Sequence, residues 1–270
     1  MKPYVIVTPK WNRFSGGITV LHRLCHELNE AGQEAYIIEK DEVSGWKTPF
    51  ISYSDTLSLA QSGDGIIVYP EICKGNPYLA KNVVRWVLNN PGLLGGDKEY
   101  PESEMKFTWV PTYYDADMLH VNCIEMDLFK DEGLERTNEY WFMGKGKRDF
   151  DAIIPPEGAI EITKGWPATR AELAQVFKTA KVFHSYDVMT ALNMEATLCG
   201  CPTIIYPSKR ITKEEWKLKQ PIQKGQAFGS EELEQAKSEL PFAREEYEKF
   251  LETLRGQLQN FITKTQCNFQ

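Results

Sequence analysis

Short apolar runs of strand length alternate with amphipathic helical segments, and this alternation constrains the fold more than any other feature of the chain. The first run, Tyr4–Thr8, is rich in β-branched residues and leads into a loop, Pro9–Gly17. Apolar residues then recur at helical spacing as far as Gly32, and a second strand is predicted at Ala35–Glu39. Alternating strands and helices are typical of a parallel sheet covered by helices. The sequence therefore predicts an α/β fold that opens with a β-loop-α-β unit.

The alternation occurs twice, on either side of a polar, charged stretch at Lys130–Asn138. Before this stretch, further strands are predicted at Gly65–Tyr69, Asn82–Leu88, Lys106–Val110 and Leu119–Ile124. After it, strands at Tyr140–Gly144, Ala159–Thr163, Lys181–Ser185 and Thr203–Pro207 alternate with helices at Thr169–Thr179 and Val188–Cys199. Because 270 residues suffice for two small domains, we predict domains 1–135 and 136–270 with a cleft between them. An apolar stripe along the last helix, Phe242–Thr263, predicts that this helix packs back on the protein.

Composition excludes several classes of protein. The net charge is −7 and no long run of Lys and Arg is present, which disfavours binding to nucleic acid. No stretch approaches the roughly 20 apolar residues of a membrane-spanning helix. The six cysteines are scattered, which fits free thiols in a reducing compartment. We therefore expect a cytoplasmic protein without a transmembrane segment, and a peripheral position at the inner membrane face stays open.

Two glycine-containing loops follow predicted strands, at the sheet edge where ligands bind. Gly16 and Gly17 lie between the first strand and the first helix, where backbone N–H groups and the helix N-terminus favour an anion. The second loop follows the first strand of the second domain and carries Lys145, Lys147 and Arg148. Three cations beside glycines suit a diphosphate. A flexible turn for the first loop and a solvated basic turn for the second remain as simpler alternatives.

The most specific pattern begins at a strand that ends with Ser185. Asp187 lies in the loop after this strand, and Glu195 lies eight positions further on, near the start of a helix. Gly200 ends that helix, and Pro202 leads into a strand rich in β-branched residues.

This block resembles the donor-binding block of retaining GT-B glycosyltransferases of the glycogen-synthase-like clan, especially glycosyltransferase family four. Their pattern is Ser, an acidic residue, seven residues, Glu-Ala, a small-residue stretch, Cys-Gly, any residue, Pro and a strand, and here Asp187 replaces the usual first Glu. Arg170–Ser185 resembles the family's preceding helix and strand, and the two glycine loops resemble its glycine pair and its phosphate-binding basic pair. The resemblance is strongest over Arg170–Tyr206 and covers about half of the chain.

The resemblance implies two Rossmann-like domains, with an acceptor side in 1–135 and a nucleotide-sugar site in 136–270. It implies a hexosyltransferase-like enzyme that moves a sugar from a nucleotide sugar to an acceptor hydroxyl with retention, without a metal or another cofactor. The acceptor could be a saccharide, a lipid or a protein.

The same resemblance implies roles for individual residues. Glu195 would accept hydrogen bonds from the ribose and Asp187 from the donor sugar, since ionised carboxylates bond strongly to hydroxyl groups. Lys145, with Lys147 or Arg148, would hold the diphosphate. The alternative is that Asp187 is an N-cap and Glu195 a residue of a helix face.

The chain departs from the family pattern in the predicted acceptor domain. It is short for this fold, and the His that family members usually carry after a strand of the first domain is not found. Glu71 or Asn89 is the candidate to stand in its place. We take Glu71, Asp187 and Lys145 as the candidate catalytic residues. Two alternatives stay open: a sugar-nucleotide epimerase that shares the GT-B fold, and a trimmed, non-catalytic module that binds a nucleotide sugar.

Overall fold

The chain is an α/β protein with two fully parallel sheets, one of six strands and one of five. The computed structural model describes residues 1–12, 15–40, 45–209 and 211–269, and the side chains of Arg148 and Arg255 lie outside this description. The chain divides into two compact units, Met1–Cys123 together with Thr253–Gln270, and Ile124–Glu252.

The first unit contains the six-stranded sheet, in the order β2-β1-β3-β4-β5-β6. Its strands are β1 (Tyr4–Ile6), β2 (Ala35–Ile37), β3 (Ile66–Pro70), β4 (Val83–Val87), β5 (Met105–Thr108) and β6 (Asp117–Met118). Helix α1 (Gly16–Glu30) connects β1 to β2, and α2 (Tyr53–Ser62) precedes β3. Successive side chains of a strand point to opposite faces of a sheet. Accordingly, Tyr4 and Ile6 pack in one core with α1, whereas Val5 packs in a second core with α2.

The C-terminal part of the last helix belongs to the first unit. The ring of Phe261 lies 5.6 Å from that of Tyr4 and 4.8 Å from that of Phe107, between ring centroids. The hydroxyls of Tyr4 and Thr265 share a buried hydrogen bond of 2.7 Å. These contacts confirm the prediction that the C-terminal helix packs back on the protein.

The second unit contains the five-stranded sheet, in the order β11-β10-β9-β7-β8. Its strands are β7 (Asn138–Phe142), β8 (Ile160–Glu161), β9 (Ala180–Ser185), β10 (Thr203–Ile205) and β11 (Gln226–Phe228). Its helices are α3 (Arg170–Lys178), α4 (Ala191–Leu198), α5 (Lys213–Lys219) and α6 (Leu233–Glu239), and α7 (Ala243–Asn268) runs from this unit into the first.

Both sheets have the same strand order when each is counted from its own first strand. The second strand lies beside the first on one side, and the third, fourth and fifth strands follow on the other. The order therefore reverses between β1 and β3 in the first unit and between β7 and β9 in the second. Ligands of open parallel sheets bind beyond the carboxyl ends of the strands at such switch points. A ligand-binding site is therefore expected at the loops that follow these four strands.

Three features differ from the sequence-based expectations. The two compact units divide after Cys123, not at residue 135, and the chain returns to the first unit at Thr253. The strand predicted at Leu119–Ile124 is found instead at Asp117–Met118, and the carbonyl of Leu119 accepts a hydrogen bond from the indole N–H of Trp86. The apolar residues of this stretch are buried as core packing, which gives the same sequence pattern as a strand. Helix α2 and strand β11 were not predicted.

Candidate functional site

The basic loop, Gly144–Arg148, forms a single turn of 3₁₀ helix directly after β7. Gly144 has a φ of +50°, and a Cβ at this position would overlap the carboxylate of Asp187. A Cβ at Gly146 would overlap the carbonyl oxygen of Tyr186. Both glycines are therefore required by the close packing of the basic loop on the segment that follows β9.

Asp187 connects the basic loop to the loop that follows β9, at the switch point of the second sheet. Its side chain is 6 % exposed, and its Oδ2 accepts a hydrogen bond of 3.0 Å from the backbone N–H of Lys145. Its Oδ1 accepts one of 3.2 Å from the N–H of Met189 and lies 3.7 Å from Nζ of Lys145. The structure thus brings together two residues, Lys145 and Asp187, that the sequence placed after different strands.

The basic loop carries two further cations, Lys147 and Arg148. Lys147 is exposed, and the side chain of Lys145 is 49 % exposed although its Nζ donates a hydrogen bond of 3.1 Å to the carbonyl of Met189. The side chain of Arg148 lies outside the described residues. The two exposed lysine side chains place positive charge beside the carboxyl ends of β7 and β9.

Glu195 forms a buried ion pair with a residue that the sequence reasoning did not identify. Its carboxylate, 2 % exposed, accepts hydrogen bonds of 2.7 and 3.1 Å from the two terminal nitrogens of Arg170. The guanidinium also contacts Glu125 at 3.3 Å and lies 4.5 Å from the ring centre of Phe129. Burial has the largest single influence and lowers the pKa of Arg170, but the charges and hydrogen bonds of Glu195 and Glu125 together outweigh it. The pKa is therefore raised, and the side chain stays a cation.

Asn193 links this ion pair to Asp187. It lies on α4, two residues before Glu195, and its Nδ2 donates to the backbone carbonyl of Asp187 at 3.2 Å. The Asn193 side chain is fully buried. One hydrogen-bonded framework therefore holds the basic loop, the loop after β9 and the start of α4. That Glu195 and Asp187 recognise ribose and sugar hydroxyls stays a prediction.

Gly16 and Gly17 are the first two residues of α1, behind the N-cap Ser15. The Oγ of Ser15 accepts a hydrogen bond of 3.4 Å from the N–H of Ile18, which leaves the N–H groups of the glycines at the helix end. A Cβ at either glycine would meet nothing within 4 Å. Internal packing therefore does not explain this glycine pair, unlike the pair in the basic loop.

Glu71 follows β3 and is 3 % exposed. Its Oε2 accepts a hydrogen bond of 3.0 Å from the N–H of Leu88, and Gly96 packs against its backbone carbonyl. Burial raises the pKa of the Glu71 carboxyl. The hydroxyl of Tyr100 is also buried in this unit and has no hydrogen-bond partner among the described residues. The oxygen of Asn89, the other candidate, accepts the neighbouring N–H of Asn90.

The two groups of candidates belong to different units. Glu71 and the pair Gly16 and Gly17 lie in the first unit, and the basic loop, Asp187 and Glu195 lie in the second. Within the described residues, no group of three or more His, Cys, Asp or Glu side chains is arranged to hold a metal ion. None of the described helices combines the length and apolar character needed to span a bilayer.

Neither a protein-family model nor a curated protein sequence matches the chain. Solved structures similar to it include AviGT4, a glycosyltransferase involved in avilamycin A biosynthesis, with a TM-score of 0.49 and 12 % identity over 100 % of this chain and 98 % of that one. The glycosyltransferase SnogD from Streptomyces nogalater has a TM-score of 0.44 and 12 % identity, over 98 % and 99 % of the two chains. MurG from Acinetobacter baumannii has a TM-score of 0.40 and 8 % identity, over 98 % and 99 %. At these identities and TM-scores, the similarity assigns neither an activity nor the role of any residue.

Proposed function

We propose that the chain is a GT-B-type glycosyltransferase, which transfers a sugar from a nucleotide sugar to an acceptor hydroxyl. One observation carries this proposal: the basic loop and Asp187 meet at the switch point of the second sheet, where Lys145 is bonded to Asp187 through its backbone at 3.0 Å. Loops at such points hold the ligands of open parallel sheets. A surface of lysines on a fixed turn suits a diphosphate leaving group.

The cations would act on the bond that breaks. When the sugar leaves the nucleotide, negative charge grows on the oxygens of the diphosphate, and fixed donors aimed at that charge lower the barrier. Removal of one such donor costs about 3 kcal/mol, which is roughly a hundredfold in rate. We assign this role to Lys145 and Lys147, with Arg148 as the third cation, and we expect it to need no metal ion.

The carboxylates would recognise hydroxyl groups. A carboxylate has about four lone-pair positions on its two oxygens. Arg170 occupies two of these positions on Glu195, and two backbone N–H groups occupy two on Asp187. We propose that Arg170 fixes the Glu195 carboxylate so that a remaining lone pair can accept a ribose hydroxyl, and that Asp187 accepts one from the donor sugar.

The acceptor would bind at the first unit. Glu71 is the candidate for contacting the acceptor hydroxyl, since burial keeps its carboxyl able to hold a proton at higher pH than usual. Gly16 and Gly17 would let a ligand approach the N-terminus of α1. We propose retention at the anomeric carbon, with the leaving phosphate accepting the acceptor's proton. Saccharides, lipids and proteins are the acceptor classes to screen.

The first test measures nucleotide binding by thermal stabilisation, with ADP, GDP, UDP and dTDP and their sugar conjugates. A saturating ligand that binds only the native state raises the Tm. We expect one nucleotide to do so, and expect Lys147→Ala to weaken its Kd by about tenfold, the effect of one charge-assisted bond. Lys181→Ala is the matched control, because Lys181 is an exposed lysine near the amino end of β9.

The products then separate the alternatives. Slow release of free sugar from the donor, with retained configuration in the transferred product, supports the proposed enzyme. An isomerised nucleotide sugar would indicate an epimerase, and binding without any turnover would indicate a non-catalytic module. Inversion at the anomeric carbon would disprove retention alone, and no binding of any nucleotide would disprove the proposed function.

A further inference from the structure

Tyr186 is a buried tyrosine directly before Asp187, and the basic loop and the segment after it, Asp149–Ile154, are fastened to it. Its hydroxyl donates a hydrogen bond of 2.7 Å to the carbonyl of Ile154. Phe150 meets its ring edge-on, with centroids 5.4 Å apart and an interplanar angle of 84°. Gly146 packs against its backbone carbonyl, where a Cβ would overlap. Tyr186 therefore contacts the basic loop itself and two positions beyond it.

The ring of Tyr186 is in turn held from the side of the sheet. It stacks on Tyr206, with centroids 4.5 Å apart and planes 6° from parallel. Tyr206 Oη is hydrogen-bonded to Nδ1 of His184 at 3.1 Å, and Nε2 of His184 to Glu139 at 2.9 Å. Glu139 lies on β7, His184 on β9 and Tyr206 directly after β10, so these contacts join three neighbouring strands. The Tyr186 ring thus has contacts with the sheet in addition to those with the segment after the basic loop.

A turn that carries neighbouring cations needs such an anchor. Like charges on adjacent residues repel, and the repulsion favours an extended loop when no anion is bound. A loop that is already in its binding shape loses less entropy when the ligand arrives, and it binds more tightly for that reason. Contacts that do not touch the ligand can supply this order.

We propose that Tyr186 is a positioning residue that holds the basic loop in the shape that binds a diphosphate. This role rests on the proposed function. The role of Tyr186 differs from that proposed for the neighbouring Asp187, because the Tyr186 hydroxyl bonds to the carbonyl of Ile154 and not to a ligand. Loss of the hydroxyl should therefore weaken binding of the diphosphate group and leave recognition of the nucleoside unchanged.

The test compares wild type with Tyr186→Phe in two measurements. Amide hydrogen exchange without ligand should be faster over residues 144–154 in the variant. The Kd of the nucleoside diphosphate that wild type binds best among ADP, GDP, UDP and dTDP should rise about three- to tenfold, the effect of one lost hydrogen bond. The Kd of the corresponding nucleoside should stay within about twofold. Phe150→Leu, which loosens the same segment through a different contact, should change both measurements in the same direction.

Tyr140→Phe is the matched control, because Tyr140 is a buried tyrosine of the same unit whose ring stacks on Trp166 at 6.2 Å. It should change neither measurement. Unchanged exchange in Tyr186→Phe, or equal weakening of diphosphate and nucleoside, would overturn the positioning role. If wild type binds none of the four diphosphates, the proposed function itself fails. If wild type binds one and Tyr186→Phe binds it equally well, only the positioning role fails.

Discussion

The two units share a strand order but differ in how they use charge near the carboxyl ends of their strands. In the first unit, Arg85 on β4 is fully enclosed, and Glu71 directly after β3 is 3 % exposed. In the second unit, Lys145 and Lys147 are exposed on a turn that is fastened to buried groups. The same topology therefore carries a buried cation in one unit and exposed lysines beside Asp187 in the other.

The buried cation of the first unit, Arg85, has its hydrogen-bond partners inside the protein. Arg85 donates two hydrogen bonds to Glu104, at 2.9 and 3.1 Å, and two more to backbone carbonyls of Cys73 and Gly75. Its guanidinium also lies 5.1 Å from the ring centre of Tyr69 and 4.9 Å from that of Tyr100. Four of its five N–H donors are thus used inside the unit, and the whole side chain is enclosed. Charge by itself therefore does not mark a binding site, and Arg85 differs from Lys147 in that its donors are enclosed.

The largest effect is expected from Arg85→Leu, which tests whether the first unit uses its charge for structure. The substitution leaves the carboxylate of Glu104 buried without its partner, at a cost of about 3–5 kcal/mol in the free energy of unfolding. Urea denaturation measures this loss. Arg244→Leu is the control, since its pair with Glu248 is 44 % and 53 % exposed and should contribute far less. Equal losses in the two variants would remove the contrast between buried and exposed charge.

A smaller effect is expected from Gly144→Ala in the second unit. An alanine at a φ of +50° costs roughly 1–2 kcal/mol, and its Cβ would also displace the carboxylate of Asp187. We expect a lower free energy of unfolding in urea together with weaker nucleotide binding, because the basic loop has to move. A variant with unchanged stability would show that the loop is not packed on Asp187 as described.

The sequence predicted most strands because buried parallel strands are short apolar runs between turns. Strand β9, predicted at Lys181–Ser185, is observed at Ala180–Ser185. Strand β11 was missed because three residues, Gln226–Phe228, provide no period that distinguishes a strand from a loop. It forms through pairing with β10, an interaction that is not visible in the local sequence.

The sequence could predict the candidate site only for residues that follow strands, because that position places a residue at the carboxyl edge of the sheet. Lys145 and Asp187 both follow strands, so their meeting at one sheet edge could be expected. The pairing of Arg170 with Glu195 joins positions 25 residues apart, and only the tertiary fold brings them together. The requirement for glycine at position 144 likewise comes from tertiary packing. Gly144 lies at the end of a strand predicted from the sequence, which provides no reason for a glycine there, whereas the structure shows that it accommodates the carboxylate of Asp187.

Gly17→Ala sharpens the comparison between the two glycine pairs. Alanine favours a helix over glycine by up to about 1 kcal/mol, and the space around Gly17 is open, so stability should stay equal or rise slightly. If the glycine serves the close approach of a ligand, the same variant should bind that ligand or the acceptor more weakly. Thermal melting with and without ligand measures both effects. A marked loss of stability would mean that packing requires this glycine as it requires Gly144.

The smallest effect concerns the pH dependence of the first unit. Burial raises the pKa of Glu71, so the folded state still binds this proton at a pH at which the unfolded chain has released it. Its contribution to stability is therefore complete below the unfolded pKa and is lost as the pH rises through the folded pKa. Glu71→Gln should remove this contribution to the fall in the free energy of unfolding with rising pH. Glu99→Gln, at an exposed position of the same unit, should leave that fall unchanged. Urea denaturation across this pH range measures the slope. An unchanged slope in Glu71→Gln would mean that the carboxyl ionises inside the fold as readily as in the unfolded chain. The proposal that Glu71 holds a proton near the acceptor would then be wrong.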